Sequence, residues 1–204
     1  MSDSLVTNSS LYRTLAGSSR AASFASATVI VVLGSLLLAV AAQIKVPVVP
    51  VPFTLATLAV AMIAGTFGAR IGVATVALYI AEGLAGLPVF SNGGGLAYLA
   101  SPTFGFIIGY LALAMVIGWA ADAGLSRRPL AFFAAMIAGN IVMLGFGFVW
   151  LLSLASGAAW IDQSNVVGSA FAVAVQPFLI WDGLKMAFAA ITIAGLWAAF
   201  GKRA

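Results

Sequence analysis

Apolar segments of bilayer length dominate this sequence, and all but three of its 14 charged residues lie in the terminal tails, in the breaks between segments or at segment ends. A helix needs about 20 apolar residues to cross a hydrocarbon core of roughly 30 Å, because each residue adds about 1.5 Å of rise. Only 7% of the 204 residues are charged, whereas 63% are hydrophobic. These properties predict an all-α integral membrane protein and argue against a soluble domain.

The breaks divide the chain into six predicted spans. The first apolar run, residues 21–44, follows a polar, serine-rich segment, residues 1–20, which we expect to be a mobile cytoplasmic tail. A cleaved signal peptide is the alternative, but the run is too long for a signal core and lacks a convincing cleavage site. The other spans are predicted at residues 54–67, 70–86, 102–122, 129–154 and 169–200. Residues 21–204 would then form a single six-helix membrane domain.

Glycine and proline define the breaks in this pattern. Three prolines within residues 45–52 predict an extended connection, because proline removes backbone donors and disfavours a helical residue before it. The apolar stretch 54–87 is too long for one span, and its glycines and arginine at residues 65–70 predict a break there. Pro177 is expected to kink the last span.

The distribution of basic residues predicts the orientation. With a cytoplasmic N-terminus, six spans place both termini inside, and the predicted inner segments hold seven basic residues: Arg13, Arg20, Arg70, Arg127, Arg128, Lys202 and Arg203. The outer segments hold only Lys45. This bias agrees with the positive-inside rule and places the loop 87–101 on the outer side.

Asp182 and Lys185 are the strongest candidates for a binding site. They are three residues apart on the last span, so they share one helix face, and charges inside a bilayer are costly enough to suggest a function. In one interpretation Lys185 binds an anion and Asp182 accepts hydrogen bonds from a ligand. In the other, the pair neutralises itself and only specifies which way the helix faces.

The loop 87–101 is predicted to be a lid over this site. Asn92 and Tyr98 could contact a ligand, although Asn92 is also an ordinary turn residue before glycines. The three glycines Gly93, Gly94 and Gly95 would permit the loop to move. Glu82, near the predicted outer end of the third span, could belong to the site or could be hydrated at the interface.

Several function classes are disfavoured. There is no histidine or cysteine and there are only five acidic residues, so a metal site and an enzyme are not expected. The basic residues are single or paired at span ends, which is not the pattern of a nucleic-acid-binding surface. A channel or solitary carrier would need polar groups across the whole bilayer, whereas the predicted inner half is almost purely apolar.

Short proline- and glycine-containing segments follow one another between residues 30 and 200. They are Pro50–Leu55; Leu78, Tyr79, Ile80 and Gly83; Gly86–Phe90; Pro102, Thr103, Gly105 and Gly109; and Pro177, Phe178, Asp182 and Lys185. In this order and spacing they resemble the BioY family, the biotin-specific substrate-capture (S) components of energy-coupling-factor (ECF) transporters. Ala56, Ser101 and Phe104 depart from the Gln, Gly and Gly that are usual there.

The resemblance implies an S-component-like fold in a bacterial inner membrane and a function in biotin uptake. It implies that biotin binds on the outer side beneath the lid, with Asp182 and Lys185 at the site and Tyr79 as a further contact. No cofactor is implied. The implied partners are one transmembrane coupling protein and two ATP-hydrolysing subunits. An autonomous carrier or channel for biotin or another small anionic vitamin is the alternative.

The resemblance also predicts a docking face on the first span. S components tend to dock through small residues there, and Gly34, Ser35 and Ala39 are the candidates, with Ser35 and Ala39 four apart on one face. Ordinary packing within the monomer is the competing interpretation of these small residues.

Overall fold

The structure, a computed structural model, describes residues 20–200, and most of them are helical. The helices are α1 Arg20–Gln43, α2 Ala56–Phe67, α3 Ala69–Leu84, α4 Phe104–Asp122, α5 Pro129–Ser153, α6 Val166–Ala174 and α7 Gln176–Phe200. Two short strands, β1 Lys45–Val46 and β2 Phe53–Thr54, pair antiparallel between α1 and α2. Short 3₁₀-helices lie at Leu96–Ala100 and Leu125–Arg127. The predicted tail, apart from Arg20, and the basic residues Lys202 and Arg203 lie outside the described residues.

The six predicted spans correspond to α1, α2, α3, α4, α5 and a broken sixth helix made of α6 and α7. Four segments are long and apolar enough to cross a membrane: Phe24–Gln43, Phe104–Asp122, Pro129–Ser153 and Val166–Ala199. The sixth begins at Val166, three residues before the predicted start at residue 169. Its break at Val175 precedes Pro177, whose ring nitrogen cannot donate a helical hydrogen bond. The expected kink is therefore present.

Helices α2 and α3 are short, and this creates the space for a site. They have 12 and 16 residues, so they extend only about 18 and 24 Å. The tight turn at Gly68 joins them at one end, so the start of α2 and the end of α3 lie together at the other. The paired strands β1 and β2 precede α2, and the loop 85–103 follows α3. These irregular segments therefore cover the same end of the bundle.

The turn between α2 and α3 is fixed by α4. The Asp122 carboxylate accepts a hydrogen bond from the backbone N–H of Ala69 over 3.0 Å. A carboxylate at this position also interacts favourably with the N-terminal end of the α3 dipole. Gly68 has a φ of +87° and lies directly against the Asp122 carboxylate, so a side chain there would be strained and would collide.

The other half of the bundle has an apolar core. Ile63, Ile117, Phe132 and Ile193 are each at most 4% exposed, and Phe132 and Ile193 lie close to Gly65 on α2. Nearby, the Arg127 guanidinium stacks over the buried ring of Trp197 at 4.3 Å from its centroid. Trp197 therefore packs inside the bundle.

The predicted docking residues on α1 face inward. Gly34 packs closely against Thr75 of α3, and Ser35 is fully buried and donates a hydrogen bond to Glu82. Small residues allow two helices to approach closely, which explains why they occupy this face. Gly34 and Ser35 are therefore buried inside the bundle, which favours ordinary packing within the monomer, and their role in docking a partner stays a prediction. Ala39 is partly buried at the edge of the same interface.

Candidate functional site

A cavity lies at the end of the bundle where α2 begins. Its wall combines apolar side chains with two groups of polar ones. Its apolar residues include Phe106, Ile107, Met143 and Phe178. Such a mixture of apolar walls and a few converging polar groups is typical of a small-molecule site.

The first polar group, here called the charged cluster, consists of Thr57, Asp182 and Lys185. The ammonium group of Lys185 lies 2.7 Å from Oδ1 of Asp182 and 3.2 Å from the Thr57 hydroxyl. The Thr57 hydroxyl in turn donates to the same Asp182 oxygen over 3.0 Å. Asp182 and Lys185 thus share one helix face and line the cavity, as the sequence predicted. Thr57, from the first turn of α2, was not predicted.

The hydrogen bonds of the charged cluster are unequally distributed. Lys185 has three N–H donors, and they meet Oδ1 of Asp182, the Thr57 hydroxyl and, over 2.7 Å, the backbone carbonyl of Thr54. Asp182 is fully buried, yet its second oxygen, Oδ2, has no hydrogen-bond partner within the part of the chain that the structure describes. A buried carboxylate oxygen without a donor is unfavourable. The cluster therefore has an acceptor to offer a ligand, and its donors are already used.

The second polar group, here called the hydroxyl cluster, consists of Ser91, Tyr98 and Thr103. The Thr103 hydroxyl donates to the Tyr98 hydroxyl over 2.9 Å, and the Tyr98 and Ser91 hydroxyls are 3.2 Å apart. The Ser101 hydroxyl is 2.8 Å from that of Thr103. Ser91 and Thr103 line the cavity directly. Tyr98 is buried behind them and binds both.

The backbone conformation and packing of the loop explain why glycine occupies three consecutive positions, Gly93 to Gly95. Phe90 and Gly93 exchange both backbone hydrogen bonds in a tight turn, and Gly93 and Gly95 have φ values of +121° and +91°. Gly94 lies against the carbonyl oxygen of Leu87, where a side chain would not fit. Each glycine therefore has a conformational or steric reason in this closed loop. Their expected role in loop motion stays a prediction.

Aromatic packing holds the loop on the bundle. The fully buried ring of Phe90 packs against Tyr79 and Tyr98, with centroids 5.3 and 4.6 Å away, and lies over Gly83 of α3. Tyr79 also donates its hydroxyl to the carbonyl of Val89 over 3.2 Å. The predicted contact Tyr79 lies in the cavity wall, while its polar atom binds the loop.

Two predicted contacts lie away from the cavity. Glu82 accepts the Ser35 hydrogen bond at the packed interface of α1 and α3. Asn92 is exposed and accepts a hydrogen bond from Lys45 over 2.9 Å. Neither side chain belongs to the wall of the cavity. Both make structural contacts beside it, and their role as ligand contacts stays a prediction. Trp181, next to Asp182, is also turned outward and 58% exposed.

Sequence reasoning missed several polar residues of the wall. Thr54 and Thr57 lie just after the proline-rich connection, and Ser91 precedes Asn92 in the loop. Hydroxyl residues are too common in a sequence of this kind to be singled out. Only Thr103, within the Pro102-Thr103 segment, carried a recognisable signal. Among the described residues, no group of three or more acidic residues could hold a metal ion.

Comparison with known proteins gives consistent results. The model of the BioY family matches residues 13–202. The chain is 34% identical to a probable biotin transporter BioY of Lysinibacillus sphaericus over 154 residues, 76% of this chain and 78% of the relative. It is 38% identical to the biotin transporter BioY of Rhizobium etli over 137 residues, 63% of this chain and 71% of the relative.

One solved structure is similar in fold. It is the crystal structure of the S-component for biotin from an ECF-type ABC transporter, with a TM-score of 0.72. The likeness covers 88% of this chain and 94% of that chain, at 20% sequence identity. At this identity the comparison shows a shared fold.

Proposed function

This chain belongs to the BioY family, and on that premise we propose that it is the membrane subunit that captures biotin for uptake through an ECF transporter. The observation that carries this proposal is the cavity, in which a fully buried Asp182 has one carboxylate oxygen without a donor among residues 20–200. Biotin is an uncharged ureido ring system joined to an apolar chain with a terminal carboxylate. It therefore offers donors at one end and acceptors at the other.

The ureido end of biotin fits the charged cluster. At neutral pH the two ureido N–H groups are the only hydrogen-bond donors of biotin, because its carboxylate is ionised. Oδ2 of Asp182 needs a donor, and a hydrogen bond to a charged acceptor contributes roughly 1.5–3 kcal/mol. Lys185 has its three donors occupied by protein oxygens. The ureido ring therefore binds at Asp182, and the contact with Lys185 orients that carboxylate.

The carboxylate end fits the hydroxyl cluster. Thr103 donates to Tyr98, so the proton of Tyr98 is available for Ser91, and the proton of Ser91 is then available for the cavity. Aligned hydroxyl groups polarise one another, which strengthens the final donor of the chain. In this arrangement the Ser91 hydroxyl donates to the biotin carboxylate beneath the lid.

The cavity is suited to capture from one side. The apolar core around Ile63, Phe132 and Ile193 separates it from the predicted cytoplasmic end of the bundle. The predicted orientation then opens the cavity towards the outside of a bacterial inner membrane. Inward release requires a rearrangement of the whole subunit, driven by one transmembrane coupling protein and two ATP-hydrolysing partner subunits.

Two measurements on the full chain test this proposal. Biotin is titrated into the purified protein in lipid nanodiscs, and saturable binding is expected; a folded protein that does not bind biotin overturns the function. Radiolabelled biotin uptake is then measured with and without co-expressed ECF coupling subunits. Uptake that depends on those subunits supports an S component, whereas equal uptake without them identifies an autonomous carrier.

Chemically modified biotins test the orientation. A derivative methylated on the ureido nitrogens loses the donors that Asp182 requires, so its binding is expected to be undetectable. The primary amide of the carboxyl end keeps those donors and is expected to bind about tenfold more weakly than biotin, since one charge-assisted hydrogen bond is lost. The reverse ranking of these two compounds would contradict the orientation.

A further inference from the structure

The segment 88–92 of the lid is held by two side chains from the end of α1 and the strand that follows it. The Gln43 amide donates to the carbonyl of Phe90 over 2.9 Å and lies 3.2 Å from the carbonyl of Pro88. The Lys45 ammonium donates to the carbonyl of Ser91 and, over 2.9 Å, to the side-chain oxygen of Asn92. Backbone carbonyls of consecutive loop residues are thus bound from outside the loop.

These contacts act directly on the wall of the cavity. Ser91 lines the cavity with its side chain, while its own carbonyl is held by Lys45. Lys45 pairs with Thr54 in the short two-stranded sheet, and the Thr54 carbonyl binds Lys185. The same pair of strands therefore connects the lid on one side with the charged cluster on the other.

Neither Gln43 nor Lys45 belongs to the described wall of the cavity. Both side chains are exposed, so water can replace their hydrogen bonds when the loop moves away. A buried contact could not be exchanged so cheaply. These properties are typical of hydrogen bonds that break and re-form as the loop moves. They differ from those of a ligand contact or of a permanent structural contact.

We propose that Gln43 and Lys45 are positioning residues that latch the lid and set the rates at which ligand enters and leaves the cavity. The proposal rests on biotin as the ligand, as proposed above. Because the latch is closed in the structure and neither of its side chains lines the cavity, we expect it to hold the loop equally before and after binding. Opening is then the common barrier to entry and exit.

This account predicts an unusual kinetic pattern. Removing either side chain eliminates one or two solvated hydrogen bonds, so the association and dissociation rates are each expected to rise about threefold to tenfold. The equilibrium Kd changes by less than about twofold, since both rates rise together. A residue that contacts the ligand would instead raise the dissociation rate and the Kd in parallel.

The test compares Gln43→Ala and Lys45→Met with the wild-type full chain in nanodiscs. Biotin association and dissociation are followed by stopped-flow tryptophan fluorescence, with radiolabelled biotin as an independent measure. Lys45→Arg keeps charged donors at the same position and is expected to retain wild-type rates. Unchanged rates in Gln43→Ala and Lys45→Met, or a Kd that rises with the dissociation rate, would overturn the latch.

A ligand-free measurement separates this proposal from the proposed function. Hydrogen–deuterium exchange of residues 87–95 is expected to be faster in both variants, because the loop amides lose their protection when the latch opens. If the wild type does not bind biotin, the proposed function fails, and unchanged exchange would still overturn the latch. Faster exchange with unaltered biotin kinetics would show that ligand does not pass beneath this segment, which also overturns the proposal.

Discussion

The charged cluster and the hydroxyl cluster line the same cavity, but they are built in different ways. The charged cluster stands on the regular helices α2 and α7 and contains an ion pair in which Asp182 is buried and Lys185 partly buried, with one acceptor that has no partner among the described residues. The hydroxyl cluster stands on and beside the lid loop and contains only neutral groups that bind one another. From this difference we expect a division of roles, in which the charged cluster fixes the ligand and the hydroxyl cluster closes over it.

This difference predicts that damage to the charged cluster affects folding as well as binding. Lys185→Met leaves Asp182 as a buried charge without its counterion, which is expected to cost about 3–5 kcal/mol of unfolding free energy. The double variant Asp182→Asn/Lys185→Met removes both charges and is expected to recover most of that loss. Thermal unfolding in nanodiscs measures both. Lys45→Met, at an exposed lysine, is the matched control. Equal melting temperatures of Lys185→Met and Lys45→Met would contradict the account.

Substitutions in the loop are expected to lower the free energy of unfolding by less than Lys185→Met does, and to change the structure only near the loop. Gly95 has φ +91° and ψ 168°, a conformation that is almost restricted to glycine, and no atom lies near the position of an added side chain. Gly95→Ala is therefore expected to cost about 1–3 kcal/mol through backbone strain alone. Gly145→Ala, also in open space but inside helix α5, is the control and should melt at or above the wild-type temperature. A Gly95→Ala protein as stable as Gly145→Ala would rule out the strain.

Thr57 tests whether the geometry of the charged cluster matters beyond its charges. Thr57→Val keeps the size of the side chain but removes the hydroxyl that bonds Asp182 and Lys185. Biotin binding is expected to weaken about tenfold, since one hydrogen bond to a charged group is lost. Thr57→Ser retains the hydroxyl and is expected to bind within about threefold of the wild type. Equal affinity of the two variants in isothermal titration calorimetry would show that Thr57 has no such role.

Tyr98 gives the corresponding test in the hydroxyl cluster. Tyr98→Phe keeps the ring that packs on Phe90 and removes the hydroxyl that joins Thr103 to Ser91. Affinity is expected to fall about fivefold, because the hydrogen bonds lost are neutral. Ser101→Ala acts at the far end of the same chain of hydroxyls and should change affinity by about twofold or less. A larger loss for Ser101→Ala than for Tyr98→Phe would contradict the proposed chain.

Glu82 is expected to show the smallest effect on binding. Its carboxylate bonds Ser35 between α1 and α3 and does not belong to the described wall of the cavity. Glu82→Gln preserves an acceptor for Ser35, so biotin affinity is expected to stay within about twofold of the wild type. A loss of biotin affinity as large as that of Thr57→Val would show that Glu82 belongs to the binding site.

The helices and the ion pair could be predicted because their signals are local. Apolar length defines the spans, and a spacing of three places Asp182 and Lys185 on one helix face. The lid could be recognised as a loop, but its glycines look alike in sequence whether they permit motion or satisfy a fixed turn. Gly93 and Gly95 require unusual φ values here, and Gly94 requires space.

The remaining contacts depend on distant parts of the chain. Thr57 meets Asp182 across 125 positions, and Gln43 meets Phe90 across 47. No local pattern marks such pairs. Glu82 was predicted as a ligand contact and Ser35 as a docking residue, but in the structure the two residues bind each other at a helix interface. A buried polar side chain can form its hydrogen bond with a neighbouring helix as readily as with a ligand.

The central claim is that the unpartnered oxygen of Asp182 accepts a hydrogen bond from the ureido group of biotin. Titration of biotin into Asp182→Asn tests it most directly, with the melting temperature confirming that the variant is folded. The amide has nearly the same shape but loses the charge of the acceptor. Binding is expected to weaken between about tenfold and a hundredfold, as for a hydrogen bond to a charged group. A folded Asp182→Asn protein that binds biotin as tightly as the wild type would contradict the account.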